Sequence, residues 1–225
     1  MYLFRLLLAA SFCVLPSSIS VIEVDTQEII QEPDMSTRFA GTVFERPEFR
    51  AVRDTISFAE GTWDDESNGP GYSYRFGDAR GSGGTLDITK PHPIEARPSP
   101  WGGSRGSNAS GAFQYLDSTW SEMHDGENVV MSPENQDRAL HRTLTERLNY
   151  DFDKPFAEQV HTLAPTWASF PNKQGRSQYN QPVKSADTLN DYYQQRLNYH
   201  RLQQTPEVPT RPAPGMMTIS PAHRR

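Results

Sequence analysis

Cysteine is almost absent from this sequence. Of 225 residues only Cys13 is one, and it lies in an apolar N-terminal segment. A mature chain without that segment has no thiol and no disulfide. Also missing are Cys/His groups at metal-ligand spacing, a Gly-x-Ser-x-Gly elbow and a phosphate loop. The run Gly81-Ser82-Gly83-Gly84 lacks the lysine and the strand–helix context of such a loop and reads as a turn. No metal and no cofactor are therefore expected. No basic block with interleaved aromatics occurs, which leaves nucleic-acid binding without support. No apolar run approaches the ~20 residues needed to cross a bilayer, so no stable membrane span is expected. Hydrophobic residues make up 35% and the mean hydropathy is -0.71, polar enough that part of the chain lies outside any core.

What is present divides the chain into four parts. Residues 1–20 read as a signal peptide: Arg5 is the positive n-region, and Leu6 to Leu15 form an apolar run of about ten residues. Pro16 breaks the run, and Ser18 and Ser20 are small residues before a possible cleavage point. This predicts export to the periplasm, cell envelope or medium. Residues 21–45 are acidic and aperiodic, a spacer. Residues 46–204 carry helical periodicity and form the expected domain. Residues 205–225 hold Pro206, Pro209, Pro212, Pro214 and Pro221, which preclude helix and predict a disordered tail. The formal net charge is -6, of which residues 1–45 carry six acidic and two basic side chains.

Within the domain, Phe49, Val52, Ile56 and Ala59 mark one apolar stripe of a helix that starts near Pro47 and is stopped by Gly61. The stretch 61–108 is rich in Gly, Pro, Ser and Asp, too long for a simple connector. Its alternating pieces Tyr72–Phe76 and Thr85–Ile88 predict two short strands. Helices follow over Phe113–Met123, from Ser132-Pro133 through Leu148, over Phe156–Trp167, and from Ser185 through Leu197. Phe113 and Trp120 read as core, Trp167 as core or cleft floor, and His92, between two prolines, as structural. The fold class is α+β, mainly helical with one small antiparallel excursion, and a monomer is expected.

Glu60 stands out among the titratable groups. It ends the first helix and opens the irregular stretch, so it should face a cleft. The helix dipole and partial desolvation both disfavour an ionised carboxylate there. A general acid for glycoside cleavage needs such a raised pKa, because it must carry a proton near neutral pH. A solvated glutamate near a helix end is the plain alternative.

The segment Ile56-Ser57-Phe58-Ala59-Glu60-Gly61-Thr62 resembles the catalytic helix end of the phage lambda lysozyme (endolysin) family, whose fold is lysozyme-like. Gly71-Tyr72, His92-Pro93, Ser110-Gly111-Ala112-Phe113-Gln114-Tyr115, Ser132-Pro133-Glu134-Asn135-Gln136-Asp137 and Thr166-Trp167-Ala168-Ser169-Phe170-Pro171 resemble further motifs of that family, in order. The resemblance implies a lytic transglycosylase of peptidoglycan glycan strands. In that reaction Glu60 protonates the oxygen between N-acetylmuramic acid and N-acetylglucosamine. As a base it then helps the muramyl C6 hydroxyl attack C1, leaving a 1,6-anhydro end. Tyr72, Ser110, Gln114 and Tyr179 are the expected substrate contacts.

Two alternatives stay open at this stage. Asp64, Asp65, Glu66, Asp78 and Asp87 could supply the second carboxylate of a hydrolytic lysozyme. The scaffold could also be a non-catalytic glycan-binding protein of an envelope or virion. With its acidic balance, the chain would engage an anionic wall through local contacts instead of long-range steering.

Overall fold

The computed structural model describes residues 42–100, 106–179 and 181–204. The expected signal peptide, all but the end of the spacer, Trp101–Gly103 and the proline-rich tail lie outside the described residues. At the end of the spacer, Val43–Glu45 form a 3-10 turn, and Phe44 packs edge-on against Phe49 at 5.3 Å.

The first helix, α1 (Pro47–Glu60), is as expected at both ends. Pro47 occupies its first turn, and Gly61 ends it in the left-handed region at φ 78°, its N–H turned back to Ser57 and Phe58 carbonyls. Phe49, Val52 and Ile56 are fully buried and Ala59 nearly so. The single apolar stripe understates the helix, however. Asp54, Thr55 and Ser57, on other faces, are also fully buried; Asp54 lies where the last helix, α5 (Ala186–Gln204), packs along α1, and Ser57 bonds to Thr62.

Polar groups hold that packing together. One Asp54 carboxylate oxygen accepts from Arg196 (2.8 Å) and lies 2.6 Å from His200 Nε2 on α5, while the other accepts from Arg53. Arg196 lies over the Trp63 ring at 4.6 Å and donates to Asn68, so the same network grips the segment after α1. Phe58 stacks on Tyr192 at 4.0 Å beside it.

The β excursion is smaller than expected and sits elsewhere. Its two strands are β1 (Trp63–Asp64) and β2 (Gly69–Pro70), an antiparallel pair with Trp63 opposite Pro70. The stretches 72–76 and 85–88 make no strand. Ser73 O takes the Leu86 N–H and Tyr74 O takes the Gly111 N–H. A Cβ on Gly84 would lie 2.1 Å from the Ser73 carbonyl, so the chain there passes too close for a regular ladder.

The remaining helices are α2 (Asp117–Met123), α3 (Pro133–Arg142) and the short α4 (Phe156–Gln159). Ser132 caps α3 through Asn135 N–H, and Pro133 fills its first turn. Beyond Arg142 the helix widens into a π turn, Thr143–Arg147, short of the expected end at Leu148. Residues 113–116 precede α2 and are not helical, and α4 tightens into a 3-10 turn at Val160–Leu163. Ser185 caps α5 through Thr188 N–H at 3.0 Å. Phe113, Trp120 and Trp167 are all buried in one core. Among the described residues no helix is long and apolar enough to cross a membrane.

Candidate active site

Ser110 to Tyr115 form a loop closed by paired backbone bonds, Ser110 N–H to Tyr115 O (2.9 Å) and Tyr115 N–H to Ser110 O (3.0 Å). Gly111 turns it at φ 80°, where a Cβ would collide with the Gln136 amide at 2.3 Å. Gln136, 1% exposed, accepts from Ala112 N–H and donates to the Tyr72 and Met131 carbonyls. The glutamine of the Ser132–Asp137 motif is thus a clamp on the Ser110–Tyr115 loop. His92 reaches the same loop through Nε2, 2.8 Å from Tyr115 O, which bears out its structural reading.

The end of α1 is fastened to this loop. The Thr62 hydroxyl reaches Ala112 O at 2.5 Å and Ser57 Oγ at 3.0 Å. Across the loop, Trp167 donates its indole N–H to Phe113 O at 3.0 Å. Between these elements opens a groove of about 760 Å³, within the size of small-ligand sites. Glu60, Gln114, Trp167 and Tyr179 all line it, so the structure brings together Glu60 and two of the four expected contacts. Gln114, held at φ 49°, donates to Gly111 O. Tyr179 is 52% exposed and its hydroxyl donates to Pro165 O.

The other two expected contacts sit elsewhere. Ser110 is fully buried and donates to Asn108 O. The Tyr72 hydroxyl donates to Asp137 at 2.8 Å, and burial beside that carboxylate pushes it well above its ordinary pKa. Neither residue lines the groove. Both belong to the wall behind it.

Of the two effects expected to raise the Glu60 carboxyl, desolvation is the one seen. Burial pushes its carboxyl up to about 6, against a hydroxyl from Ser169 at 2.5 Å and the charge of Lys184, which both hold it down. Lys184 donates to Ala59 O at 3.2 Å and lies 4.8 Å over the Phe58 ring. Sequence reasoning missed both partners. Ser169 was visible as the polar residue in the Trp167–Pro171 motif, but nothing local places it on a carboxylate 109 residues away. Lys184 carries no signal at all.

Of the acids left open as second carboxylates, only Asp78 lines the groove. Its oxygens accept from Arg97 (2.7 Å), the Thr85 hydroxyl (2.9 Å) and the backbone N–H groups of Arg75 (2.7 Å) and Thr85 (2.9 Å). Burial pulls this carboxyl up, but these bonds outweigh it and hold it below the ordinary range. Its lone pairs are committed to the loop. Among the described residues no group of three or more metal-ligating side chains occurs.

Residues 50–199 match the model of the Endolysin family, two thirds of the chain. The chain belongs to the Endolysin family. Peptidoglycan degradation follows from that membership. The structure of bacteriophage lambda lysozyme, complexed with a chitohexasaccharide, superposes with a TM-score of 0.55 at 22% identity. It covers 67% of this chain and 94% of that one. At that identity the likeness establishes a shared, lysozyme-like fold. No curated protein is significantly similar in sequence. In this endolysin the matched span runs from α1 to α5 and includes Glu60, Gln114, Ser169 and Tyr179.

The Ser169 contact has a measurable consequence. In Ser169→Ala the carboxylate of Glu60 loses a donor, so its pKa rises. With Glu60 as the acid proposed below, the alkaline limb of kcat/KM should then lie at higher pH than in wild type, with activity at pH 8 retained or increased relative to pH 5. A pH–rate profile on peptidoglycan checks this, and a limb moving to lower pH would contradict the assigned contact.

Proposed function

We propose that this endolysin cleaves the β-1,4 bond between N-acetylmuramic acid and N-acetylglucosamine by lytic transglycosylation, with Glu60 as the single acid and then base. The observation that carries the reading is the unequal state of the two carboxyl groups on the groove. Glu60, raised to about 6, keeps part of its population protonated near neutral pH. Asp78 is ionised and saturated by four hydrogen bonds, so it has no lone pair to offer as nucleophile or as base for water.

A mechanism with one working carboxyl group suits this arrangement. Glu60 gives its proton to the leaving 4-oxygen as the C1–O bond breaks and charge develops at C1. The resulting carboxylate takes the proton of the muramyl C6 hydroxyl as that oxygen bonds to C1. The proton count closes on Glu60, and no water enters. Ser169 donates to the carboxylate form and steadies it between the two steps. Gln114 and the exposed Tyr179 ring supply amide and aromatic surface for the sugars, a use consistent with the oligosaccharide-bound relative. We also propose export through residues 1–20.

Mass spectrometry of soluble digest products tests the mechanism. Muropeptides ending in anhydromuramic acid, lighter by one water than hydrolytic products, are the expected result. Reducing-end muramic acid throughout would mean hydrolysis and would overturn the single-carboxylate reading.

A further inference from the structure

The groove carries a charge surplus opposite to that of the chain. Arg75, Arg80 and Arg147 all line it, in a chain of formal net charge -6. Of its two acids, Asp78 is neutralised by Arg97 at 2.7 Å and Glu60 carries a raised pKa. Arg80 pairs with Asp65 and Arg147 with Glu122, but all four side chains are at least 40% exposed, so both pairs are weak and exchangeable.

Arg75 differs from the other two. Its backbone is fixed, bridged to Ser110 and turned by its N–H bond to Asp78. Its guanidinium donates through Nη2 to Glu95 O at 3.1 Å, and its buried Nε has no hydrogen-bond partner. Arg53, Arg97, Arg142 and Arg196 are each anchored to a carboxylate in the fold. Arg75 has only a carbonyl. Nε is shut away from the groove, but Nη1 makes no hydrogen bond, and a permanently charged fork with that end uncommitted suits a carboxylate brought by a ligand.

N-acetylated sugars have no charge for a guanidinium to use. The anions of a peptidoglycan strand are on its muramyl substituents, as free lactyl carboxylates or as carboxylates of the stem peptides. We propose that Arg75, flanked by Arg80 and Arg147, binds these carboxylates and makes the groove selective for anionic strands over neutral N-acetylhexosamine polymers. This inference rests on the glycan-strand reading above.

The test uses the full chain and three uncrosslinked substrates. The first is intact strands, whose anions are stem-peptide carboxylates, and the second is strands stripped of peptide by an amidase, which frees the lactyl carboxylate. The third is stripped strands with those carboxylates converted to neutral amides. Wild type is expected to favour charged over neutral strands by about tenfold in kcat/KM, the size of one charge-assisted hydrogen bond. Arg75→Gln should erase most of that preference through KM, and Arg75→Lys should keep part of it. A preference lost on intact strands alone assigns the stem peptides, one lost on stripped strands alone assigns the lactyl group, and one lost on both means that Arg75 takes either carboxylate.

Added salt should weaken the wild-type preference, a check that needs no variant. Equal losses on all three substrates in Arg75→Gln, or no salt-sensitive preference in wild type, would overturn the inference. Wild type that cuts none of the three would instead refute the function proposed above.

Discussion

Glu60→Gln is expected to lower strand cleavage by about 10³-fold or more, the scale of general acid–base catalysis lost at both steps. The substitution keeps shape and hydrogen-bonding capacity but has no proton to give. It should also stabilise the fold at alkaline pH. The folded-state pKa, about 6, lies above the ordinary value of 4.5. The folded state therefore binds more protons than the unfolded state between those values, and stability falls as pH rises through that window. Above pH ~6 the ionised carboxylate costs about 2 kcal/mol, which Glu60→Gln relieves in part. Below pH ~4.5 the gain disappears. Clearing assays on peptidoglycan, paired with urea denaturation at pH 4 and pH 8, check both halves. Equal clearing by the variant would mean Glu60 is not the acid, and equal stability at both values would mean its carboxyl is not desolvated.

Asp54→Ala is expected to destabilise the domain by about 3–5 kcal/mol, the range for breaking a buried ion network from one side. Asp54 is fully buried. Burial pulls its carboxyl up, but the His200 contact and the charges of Arg53 and Arg196 prevail and hold it below its ordinary value. Removing it leaves two guanidinium groups facing each other between α1 and α5. Arg53 keeps Asp137 at 3.3 Å, and Arg196 keeps only the amide of Asn68 and its aromatic neighbours. The same carboxylate predicts a pH dependence of opposite sign to that of Glu60. Its depressed pKa contributes stability above the unfolded value, and that contribution is lost as pH falls. Denaturant melts of wild type and variant at pH 7 measure the difference. A change under about 1 kcal/mol would mean the network is satisfied without its central acid.

Features fixed by neighbours in the chain were legible in the sequence, and those fixed by distant partners were not. Pro47, Gly61, Ser132-Pro133 and Ser185 mark helix ends because capping and φ restrictions act over a few residues. The alternation of Tyr72–Phe76 is also local, but its carbonyls bond to Leu86 and Gly111, so no ladder forms. The sequence reading of α1 rested on one apolar stripe and assigned nothing to Asp54. Asp54 is buried only because Arg196 and His200 arrive from 142 and 146 residues away.

The candidate site divides in the same way. The place of Glu60 on the groove was legible because the end of a helix next to a glycine-rich stretch is a local feature, while its role as acid was suggested by the family resemblance. Gln114 and Tyr179 do line the groove. Tyr72 and Ser110 lie in the right motifs, yet one hydroxyl is bound to Asp137 and the other to Asn108 O. Motif membership located the wall but not which side chains face the groove. The charge of the groove, set by Arg75, Arg80 and Arg147 against a net negative chain, is a property of the folded surface alone.

In the proposed mechanism one half-buried carboxyl group, Glu60, holds the catalytic proton. The most direct test follows the carboxyl carbon of Glu60 by NMR across pH 4–8, beside kcat/KM on peptidoglycan over the same range. The account predicts that Glu60 titrates near 6 and that the alkaline limb falls tenfold per pH unit from the same midpoint. A Glu60 titration near 4.5, or a limb set by another group, would contradict it.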